Sequence, residues 1–390
     1  MSFQMYVPTR ILFGAGQLEN LHTQQMPGRK ALIVISNGKS TRENGSLERT
    51  EEQLDKAGVA YVVFDKIMAN PLKSTVMEGA ACARENDCDF LVALGGGSVM
   101  DASKAIAAMA ANDGDLWDYV SGGTGKGSPL VREPLPIIAI TTTAGTGSEV
   151  DQYGVISNEE TNEKIGFGGA DSLFPRIAVV DPELMKTVPP KFTAYQGFDA
   201  LFHSVECYIA APANLMSDMY ALTAIENIGS YLPRAVRDGN DMEAREHVAF
   251  ANTLSGVVMT ISACTSEHSM EHAMSAYHHE LPHGAGLIMI SRAYFTHFIE
   301  KHACDDRFIR MAQALGMKEA EKPMDFITAL SKLQEECGVD GLKMSDYGIR
   351  PDEFMTLAEN ARATMGGLFL CDPVPMSNEE CAAIFEKSYK

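Results

Sequence analysis

Short apolar runs separated by segments of helical pattern fill the first half of the chain and constrain its fold most strongly. The runs lie at 30–36, 59–65, 89–97, 134–149 (its apolar part leading into a Thr/Gly loop) and 176–184. Apolar runs of this length, bounded by turn residues, are typical of buried strands, and helices between them favour a parallel sheet covered on both faces. We therefore predict an α/β domain over residues 1–187.

The pattern changes near Val188-Pro189-Pro190. Beyond residue 190 the sequence has almost no β-branched runs bounded by turns, and long amphipathic segments ending at Gly or Pro replace them. A chain of 390 residues is also too long for one ordinary core. We predict a second, all-helical domain over residues 188–390.

The charge balance narrows the classes of partner. The formal net charge is −20 at pH 7, and such a surface repels phosphate backbones and anionic lipid. We therefore expect no nucleic-acid or membrane partner. The start shows no signal-peptide pattern, no apolar run reaches about 18 residues, and the eight cysteines form no CxxC pair. These features favour a cytoplasmic protein with free thiols.

Two glycine-containing loops follow predicted strands. Leu94-Gly95-Gly96-Gly97-Ser98 opens onto a helical segment, and Thr142–Ser148 is a loop rich in hydroxyl groups. A tight turn would explain one such loop, and the first does not follow the GxGxxG fingerprint. Loops at the carboxyl ends of parallel strands meet where such folds bind ligands, and glycine lets backbone N–H groups approach an anion. Together the loops predict a ligand with several phosphates or hydroxyls, such as a dinucleotide.

Histidine spacing indicates a second site. Asp199 and His203 are four residues apart, as are His268 and His272, and His283 follows within the stretch SEHSMEHAMSAYHHELPHG. The i,i+4 spacing puts each pair on one face of a helix. One such pair alone is more often a surface hydrogen bond. Two pairs and a further histidine could surround Fe²⁺, Zn²⁺ or a similar ion, although spacing does not say which histidines are ligands.

The chain resembles the iron-dependent (group III) alcohol dehydrogenases along its full length. The motifs that carry the resemblance are Phe13-Gly14-Ala15-Gly16, Asn70-Pro71, GGGSVMD (95–101), GDLWDY (114–119), TTAGTGSE (142–149), GFDALFHSVE (197–206) and His283-Gly284. The resemblance implies an α/β N-terminal Rossmann-like domain with a parallel sheet plus an all-α C-terminal domain, the dehydroquinate synthase-like architecture.

The resemblance also implies roles for individual residues. The metal ligands would be Asp199, His203, His268 and His283, and His272 would lie near the nicotinamide as a catalytic residue. Gly96, Gly97 and Ser98 would contact the pyrophosphate, and Thr142, Thr143 and Thr146 the adenosine or phosphate side. Asn70, Lys164 and Leu184 would contact the ribose or nicotinamide.

The end of the first strand bears on the choice between NAD and NADP. Members that prefer NAD commonly carry an Asp there, and this chain has Ser36, followed by Lys39 and Ser40. Without the carboxylate a 2′-phosphate meets no repulsion, and Lys39 and Ser40 could bind it. The sequence therefore favours NADP(H), or use of both cofactors.

The resemblance implies an NAD(P)-linked dehydrogenase of short primary alcohols and diols, or a reductase of their aldehydes. A metal, Fe²⁺ or Zn²⁺, would polarise the substrate oxygen while hydride moves to or from nicotinamide C4. A homodimer is expected. The alternatives are a dehydroquinate synthase-like lyase that uses NAD without net oxidation, a glycerol dehydrogenase-like zinc enzyme, and a metal or nucleotide sensor without turnover.

Overall fold

A computed structural model describes residues 3–390 of the chain. The chain divides into two compact units, one over residues 7–187 and one over residues 188–390, which also includes residues 3–6. All eight cysteines are free thiols. Among the described residues no single helix is long and apolar enough to cross a membrane, although one bent pair, 242–261 with 266–277, meets the length and composition test jointly.

The first unit is built on a six-stranded sheet and a separate hairpin. The strands are β1 Arg10–Phe13, β2 Lys30–Ser36, β3 Ala60–Ile67, β4 Phe90–Gly95, β5 Ile137–Thr141, β6 Tyr153–Asn158, β7 Glu163–Gly168 and β8 Ile177–Val180. The large sheet has the order β1-β8-β5-β4-β2-β3, and its strand pairs are parallel. The prediction of a parallel sheet is confirmed.

Helices cover both faces of this sheet. They are α1 Ser40–Glu43, α2 Ser46–Lys56, α3 Lys73–Glu85 and α4 Gly97–Ala111. Alternate residues of the central strands enter two separate cores: Val34 and Ala93 pack with α3 and α4, whereas Ile33 and Val92 pack with α2. This two-sided burial explains why the central strands are continuous apolar runs rather than alternating ones.

The strand order creates a crevice at the carboxyl end of the sheet. β2 and β4 are neighbours, but β2 leads to β3 on one side and β4 leads to β5 on the other. Dinucleotides bind in open α/β sheets at such a reversal, because the two connecting loops diverge and leave a gap. The loops after Ser36 and after Gly95 therefore flank the position at which this fold class binds a cofactor.

The second unit is helical, as predicted. Its helices are α5 Pro190–Ile209, α6 Leu215–Arg237, α7 Met242–Ile261, α8 Ser266–Tyr277, α9 His283–Glu300, α10 Asp305–Ala314, α11 Asp325–Glu336, α12 Phe354–Phe369 and α13 Asn378–Ser388. Pro190 starts α5, where a missing N–H costs nothing. α5 contacts α6, α7 and α9, while α8 contacts α9 and α12. Phe202 of α5 packs on Phe295 of α9 at a ring distance of 6.0 Å.

Candidate active site

Helix α5 carries three polar residues on one buried face. Asp199, His203 and Glu206 are spaced four and three residues apart, so one turn separates each from the next. Their exposed fractions are 4%, 6% and 0%. Charged and polar groups are rarely buried this completely unless they pair or bind a cation, so this face of α5 indicates a site rather than a simple packing surface.

Helices α8 and α9 supply the other histidines. His268 and His272 lie one turn apart on α8 and are both buried, while His283 is the first residue of α9. The start of α9 lies against the backbone of α5: a Cβ at Gly284 would come within 2.2 Å of the carbonyl oxygen of Tyr195. Glycine after His283 is therefore required for the close approach that brings this imidazole toward α5.

The three predicted histidine ligands converge on one oxygen of Asp199. Nδ1 of His203 and Nε2 of His268 lie 3.6 Å and 3.5 Å from Asp199 Oδ1. Nε2 of His283 lies 3.4 Å from the same oxygen. The rings of His203 and His268 are stacked, with centroids 4.3 Å apart. The structure therefore brings together four side chains that span 85 residues of sequence.

This donor set fits a divalent transition metal. Asp199 Oδ1 is buried and has no hydrogen-bond partner, although three imidazole nitrogens face it. Ligands about 2.1 Å from a tetrahedral ion are about 3.4 Å apart, close to the three distances measured from Asp199 Oδ1. Ligand atoms of Asp199, His268 and His283 all lie within 4.8 Å of one another, whereas His203 meets this limit together with His268 and Cys264. Three imidazoles and one carboxylate suit Fe²⁺, Zn²⁺ or Co²⁺ rather than Ca²⁺.

The electrostatics of the cluster favour positive charge. Burial alone would raise the pKa of Asp199, but His203 and His283 outweigh it and hold this pKa well below its usual range. Burial alone would lower the pKa of His268, whereas the carboxylate of Glu206 raises it well above the usual value. Both directions are those expected where the surroundings of Asp199 favour positive charge.

His272 is close to this cluster without facing Asp199 in the same way. Its ring centroid lies 5.2 Å from that of His283 and 6.2 Å from that of His268. Its Nδ1 lies 2.7 Å from the sulfur of Met365, at the break in α12 where the backbone leaves helical geometry. The neighbouring His278 and His279 lie in the loop between α8 and α9, and Nε2 of His278 is 3.3 Å from Glu353.

Three further side chains that contact this cluster were not identified from the sequence. Glu206 contacts Nδ1 of His268, and Glu271 contacts Nδ1 of His283. Cys264 places its sulfur within 4.8 Å of ring nitrogens of His203 and His268. Each glutamate lies three residues after a predicted ligand, a spacing that could have singled it out. Its histidine partner on another helix has no signature in the sequence.

In the first unit, the glycine and threonine loops are in contact. A Cβ at Gly96 would come within 2.8 Å of Thr143 Cγ2, and one at Gly97 within 2.2 Å of Thr146 Cγ2. Gly97 begins α4, so the N–H groups of its first turn point out of the helix at this contact. The two predicted cofactor loops thus form one surface at the amino end of a helix, where phosphate binds readily.

A buried network around Lys104 of helix α4 connects this helix to the residues at the end of the threonine loop. Nζ of Lys104 donates to Ser148 Oγ at 2.7 Å, to Asp151 Oδ1 at 2.7 Å and to the carbonyl of Tyr153 at 2.6 Å. Ser148 Oγ in turn donates to Asp101 Oδ1 at 2.8 Å. Burial raises the pKa of Asp101 to about 6. This network ties helix α4 to the end of the threonine loop.

The remaining predicted cofactor residues have different surroundings. Ser36 is half-buried at the end of β2, whereas Lys39 and Ser40 are exposed at the start of α1. Asn70 has a left-handed backbone conformation (φ 53°). The carbonyl of the next residue, Pro71, accepts the N–H of Ser157 in β6. Ser157 pairs with Lys164 in β7, so this bond links the segment of Asn70 to the hairpin that carries Lys164. Leu184 is only 3% exposed and packs in a core of the sheet. Its contact with a cofactor stays a prediction.

Comparison with known proteins agrees with both halves of the chain. The family profile for iron-containing alcohol dehydrogenase matches residues 8–182, and that for the C-terminal part of the Fe-containing alcohol dehydrogenase family matches residues 193–389. The chain is 32% identical to 1,3-propanediol dehydrogenase of Klebsiella pneumoniae, with 100% of both proteins covered. It is 32% identical to a probable NADH-dependent butanol dehydrogenase of Bacillus subtilis, over 93% of the chain and 94% of that protein.

A solved structure shares the whole fold. The crystal structure of an archaeal halo-thermophilic alcohol dehydrogenase from a Red Sea brine pool superposes with a TM-score of 0.94. It is 36% identical and covers 100% of this chain and 99% of its own. The two profile matches, the full-length relatives and this structure agree with the metal-binding chemistry of α5, α8 and α9. The chain therefore belongs to the iron-containing alcohol dehydrogenase family and is a metal-dependent alcohol dehydrogenase.

Proposed function

We propose that the chain interconverts short primary alcohols or diols and their aldehydes at a divalent metal, with NADP(H) as the preferred nicotinamide cofactor. The metal ligands are Asp199, His203, His268 and His283. The observation that carries the proposal is the convergence of three imidazole nitrogens within 3.6 Å of one buried carboxylate oxygen. The relatives named for 1,3-propanediol and butanol support short alcohols as substrates.

The residues of the helical unit have separate tasks. When bound, the metal supplies Lewis-acid polarisation of the substrate oxygen, and the nicotinamide supplies or accepts hydride. Asp199 contributes the negative charge, and the neutral imidazoles leave the site positive, which favours an alkoxide over an alcohol. We assign the movement of the alcohol proton to the imidazole of His272, whose ring centroid lies 5.2 Å from that of His283.

The cofactor preference follows from the end of β2. Ser36 offers no carboxylate to repel a 2′-phosphate, and the exposed Lys39 ammonium is available to pair with one. The next cation, Arg42, is already paired with Asp65 at 2.8 Å. Ser36→Asp should move the ratio of kcat/KM toward NAD, and Lys39→Ala should lower kcat/KM for NADP more than for NAD. An unchanged ratio in both variants would contradict the NADP assignment.

An activity screen tests the central proposal. Protein reconstituted without oxygen with Fe²⁺ or Zn²⁺ is assayed at 340 nm with short alcohols, diols and aldehydes and with both cofactors. We expect stoichiometric change in absorbance, which a lyase that regenerates its cofactor would not give. Asp199→Ala should lose both the metal and the activity. Retention of one metal per chain by this variant would refute the ligand assignment.

Two further properties belong to the proposal. We propose a homodimer, which light scattering behind size-exclusion chromatography measures. We also propose a cytoplasmic location, which the eight free thiols support and cell fractionation tests.

A further inference from the structure

We infer that Glu206 and Glu271 are positioning residues of the metal centre: each carboxylate holds one ligand imidazole by its Nδ1 atom, so that Nε2 faces Asp199. Glu206 holds His268 and Glu271 holds His283. The inference rests on the proposed metal site. An ionised carboxylate can only accept hydrogen bonds, so Nδ1 of each imidazole carries a proton, and in the metal-bound form the lone pair of Nε2 is left for the metal.

Glu206 is itself fixed in place. Its side chain is fully buried on α5, and its Oε1 atom contacts Nδ1 of His268. Its Oε2 atom accepts the backbone N–H of Thr265 at 2.7 Å and the hydroxyl of Thr265 at 2.9 Å. Both oxygens are therefore engaged, and the carboxylate cannot rotate without losing two bonds to the residue that precedes α8.

Glu271 depends on a glycine for its position. It is fully buried on α8, and its Oε2 atom contacts Nδ1 of His283 at the start of α9. A Cβ at Gly286 would lie 2.7 Å from Glu271 Cγ and 2.9 Å from Oε1. The absence of a side chain at Gly286 therefore leaves the space that this carboxylate occupies.

The two carboxylates link successive helices. The glutamate of α5 holds the ligand of α8, and the glutamate of α8 holds the ligand of α9. Asp199 faces the opposite nitrogen, Nε2, of both rings. Each imidazole is thus fixed at both ends. Loss of an outer partner of this kind typically weakens metal binding about 10–100-fold even though every ligand remains.

Metal affinity of the purified full-length chain tests the inference without an activity assay. The probe is Co²⁺ alone, whose dissociation constant is measured by competition with a chromophoric chelator. Its visible absorption spectrum reports ligand geometry. We expect Glu206→Ala and Glu271→Ala to weaken Co²⁺ binding about 10–100-fold. Glu206→Gln and Glu271→Gln keep an acceptor oxygen at nearly the same position, so they should recover part of that loss.

The chain offers a matched control on the same helix. Glu267 is also fully buried on α8, but neither of its carboxylate oxygens has a hydrogen-bond partner, so it holds no imidazole. Glu267→Gln should leave the Co²⁺ affinity within about twofold of wild type. Gly286→Ala tests the same inference indirectly: it alters no ligand and no carboxylate, and it should weaken Co²⁺ binding by displacing Glu271. Gly341→Ala, where a Cβ meets nothing within 4 Å, is its control.

The outcomes separate the two proposals. Failure of the wild-type chain to bind one Co²⁺, or full binding by Asp199→Ala, would remove the metal site and this inference with it. Normal wild-type binding with unchanged affinity in Glu206→Ala and Glu271→Ala would overturn the positioning roles alone. Equal losses in the Ala and Gln variants, or an equal loss in Glu267→Gln, would overturn them too, because a general packing defect would then explain the effect. An alanine variant that does not fold leaves the Gln variants and Gly286→Ala to decide.

Discussion

At the residue scale, the proposed metal cluster consists of side chains that are costly to bury. Isolated carboxylates and imidazolium groups lose several kcal/mol on leaving water unless they are paired. Here Asp199 faces three imidazoles, and Glu206 and Glu271 each hold one. The burial cost is thus offset within the cluster, and a bound cation adds to that compensation. Removal of one member should therefore affect the others more than it affects the rest of the fold.

The His272→Ala variant tests the division of tasks within this cluster. We expect metal content to stay at the wild-type level, because the converging ligands do not include His272. We expect kcat to fall about 100-fold or more, the usual effect of losing a general acid or base. Metal analysis by mass spectrometry and steady-state kinetics measure the two effects.

The exposed His279, seven residues further on, provides the control. His279→Ala should change neither the metal content nor kcat by more than about twofold. Loss of metal from His272→Ala would mean that His272 is a ligand, and an unchanged kcat would mean that it takes no part in catalysis.

At the element scale, glycine in the phosphate loop serves the contact between two loops. The first turn of α4 lies so close to the threonine loop that a single methyl group at Gly97 would overlap Thr146. The buried Lys104 network keeps the two loops in this arrangement. The glycines are thus required by the neighbouring loop as well as by the phosphate that the sequence suggested.

Gly97→Ala should therefore weaken cofactor binding at least about tenfold, since small displacements of positioning groups have large effects. The double variant Gly97→Ala/Thr146→Ser removes Thr146 Cγ2, the atom nearest the new methyl group, and keeps the hydroxyl that is predicted to contact the cofactor. It should therefore bind the cofactor more tightly than Gly97→Ala. Fluorescence titration with NADPH measures both constants. If the double variant is as weak as the single one, the methyl group acts on the phosphate directly and the loop contact is not the cause.

The amino end of α8 provides a prediction of pH dependence. Asp372 accepts the backbone N–H of Ser266 at 2.9 Å and its hydroxyl at 2.8 Å, and burial raises the pKa of Asp372 to about 7. The folded state therefore binds this proton more tightly than the unfolded state does. The proton on Asp372 therefore stabilises the folded protein fully below the ordinary pKa of Asp. This contribution to the free energy of unfolding is lost as the pH rises toward 7, by up to about 1.4 kcal/mol per pH unit.

Asp372→Asn removes this titration. Between pH 5 and 7 the thermal midpoint of the variant should fall less steeply than that of wild type. Each kcal/mol of stability that only wild type loses should lower its midpoint by about 2–4 °C. Asp340→Asn, at an exposed position, should keep the wild-type slope. Identical slopes for Asp372→Asn and wild type in calorimetry would contradict the assignment.

At the scale of the whole molecule, the proposed ligands of the metal all belong to the helical unit and the predicted cofactor residues all belong to the α/β unit. Addition of Zn²⁺ should therefore slow amide hydrogen exchange in α5, α8 and the first turns of α9, because a ligand that binds only the folded state stabilises it. Peptides from the β6–β7 hairpin should exchange at an unchanged rate. Uniform protection of both units, or none in the three helices, would contradict the proposed ligands.

The sequence predicted the elements with strong patterns and missed those with weak ones. The central strands are buried on both faces and therefore read as apolar runs, and the long helices of residues 190–390 show clear periodicity. β1 has only four residues, two of them exposed, and the β6–β7 hairpin mixes glycines with polar residues. Neither leaves a clear hydrophobic pattern, so both were overlooked.

By itself the sequence determined the fold class and the family, and it predicted the residues that we propose as metal ligands, because helical spacing and loop motifs are local properties. Only the tertiary structure decided how these residues pair. Asp199, His268 and His283 meet through the packing of α5, α8 and α9, and the Glu206–His268 and Glu271–His283 contacts join different helices. Likewise the reason for glycine at 97, 284 and 286 lies in atoms of other segments. Such contacts depend on distances in space, and spacing along one chain does not contain them.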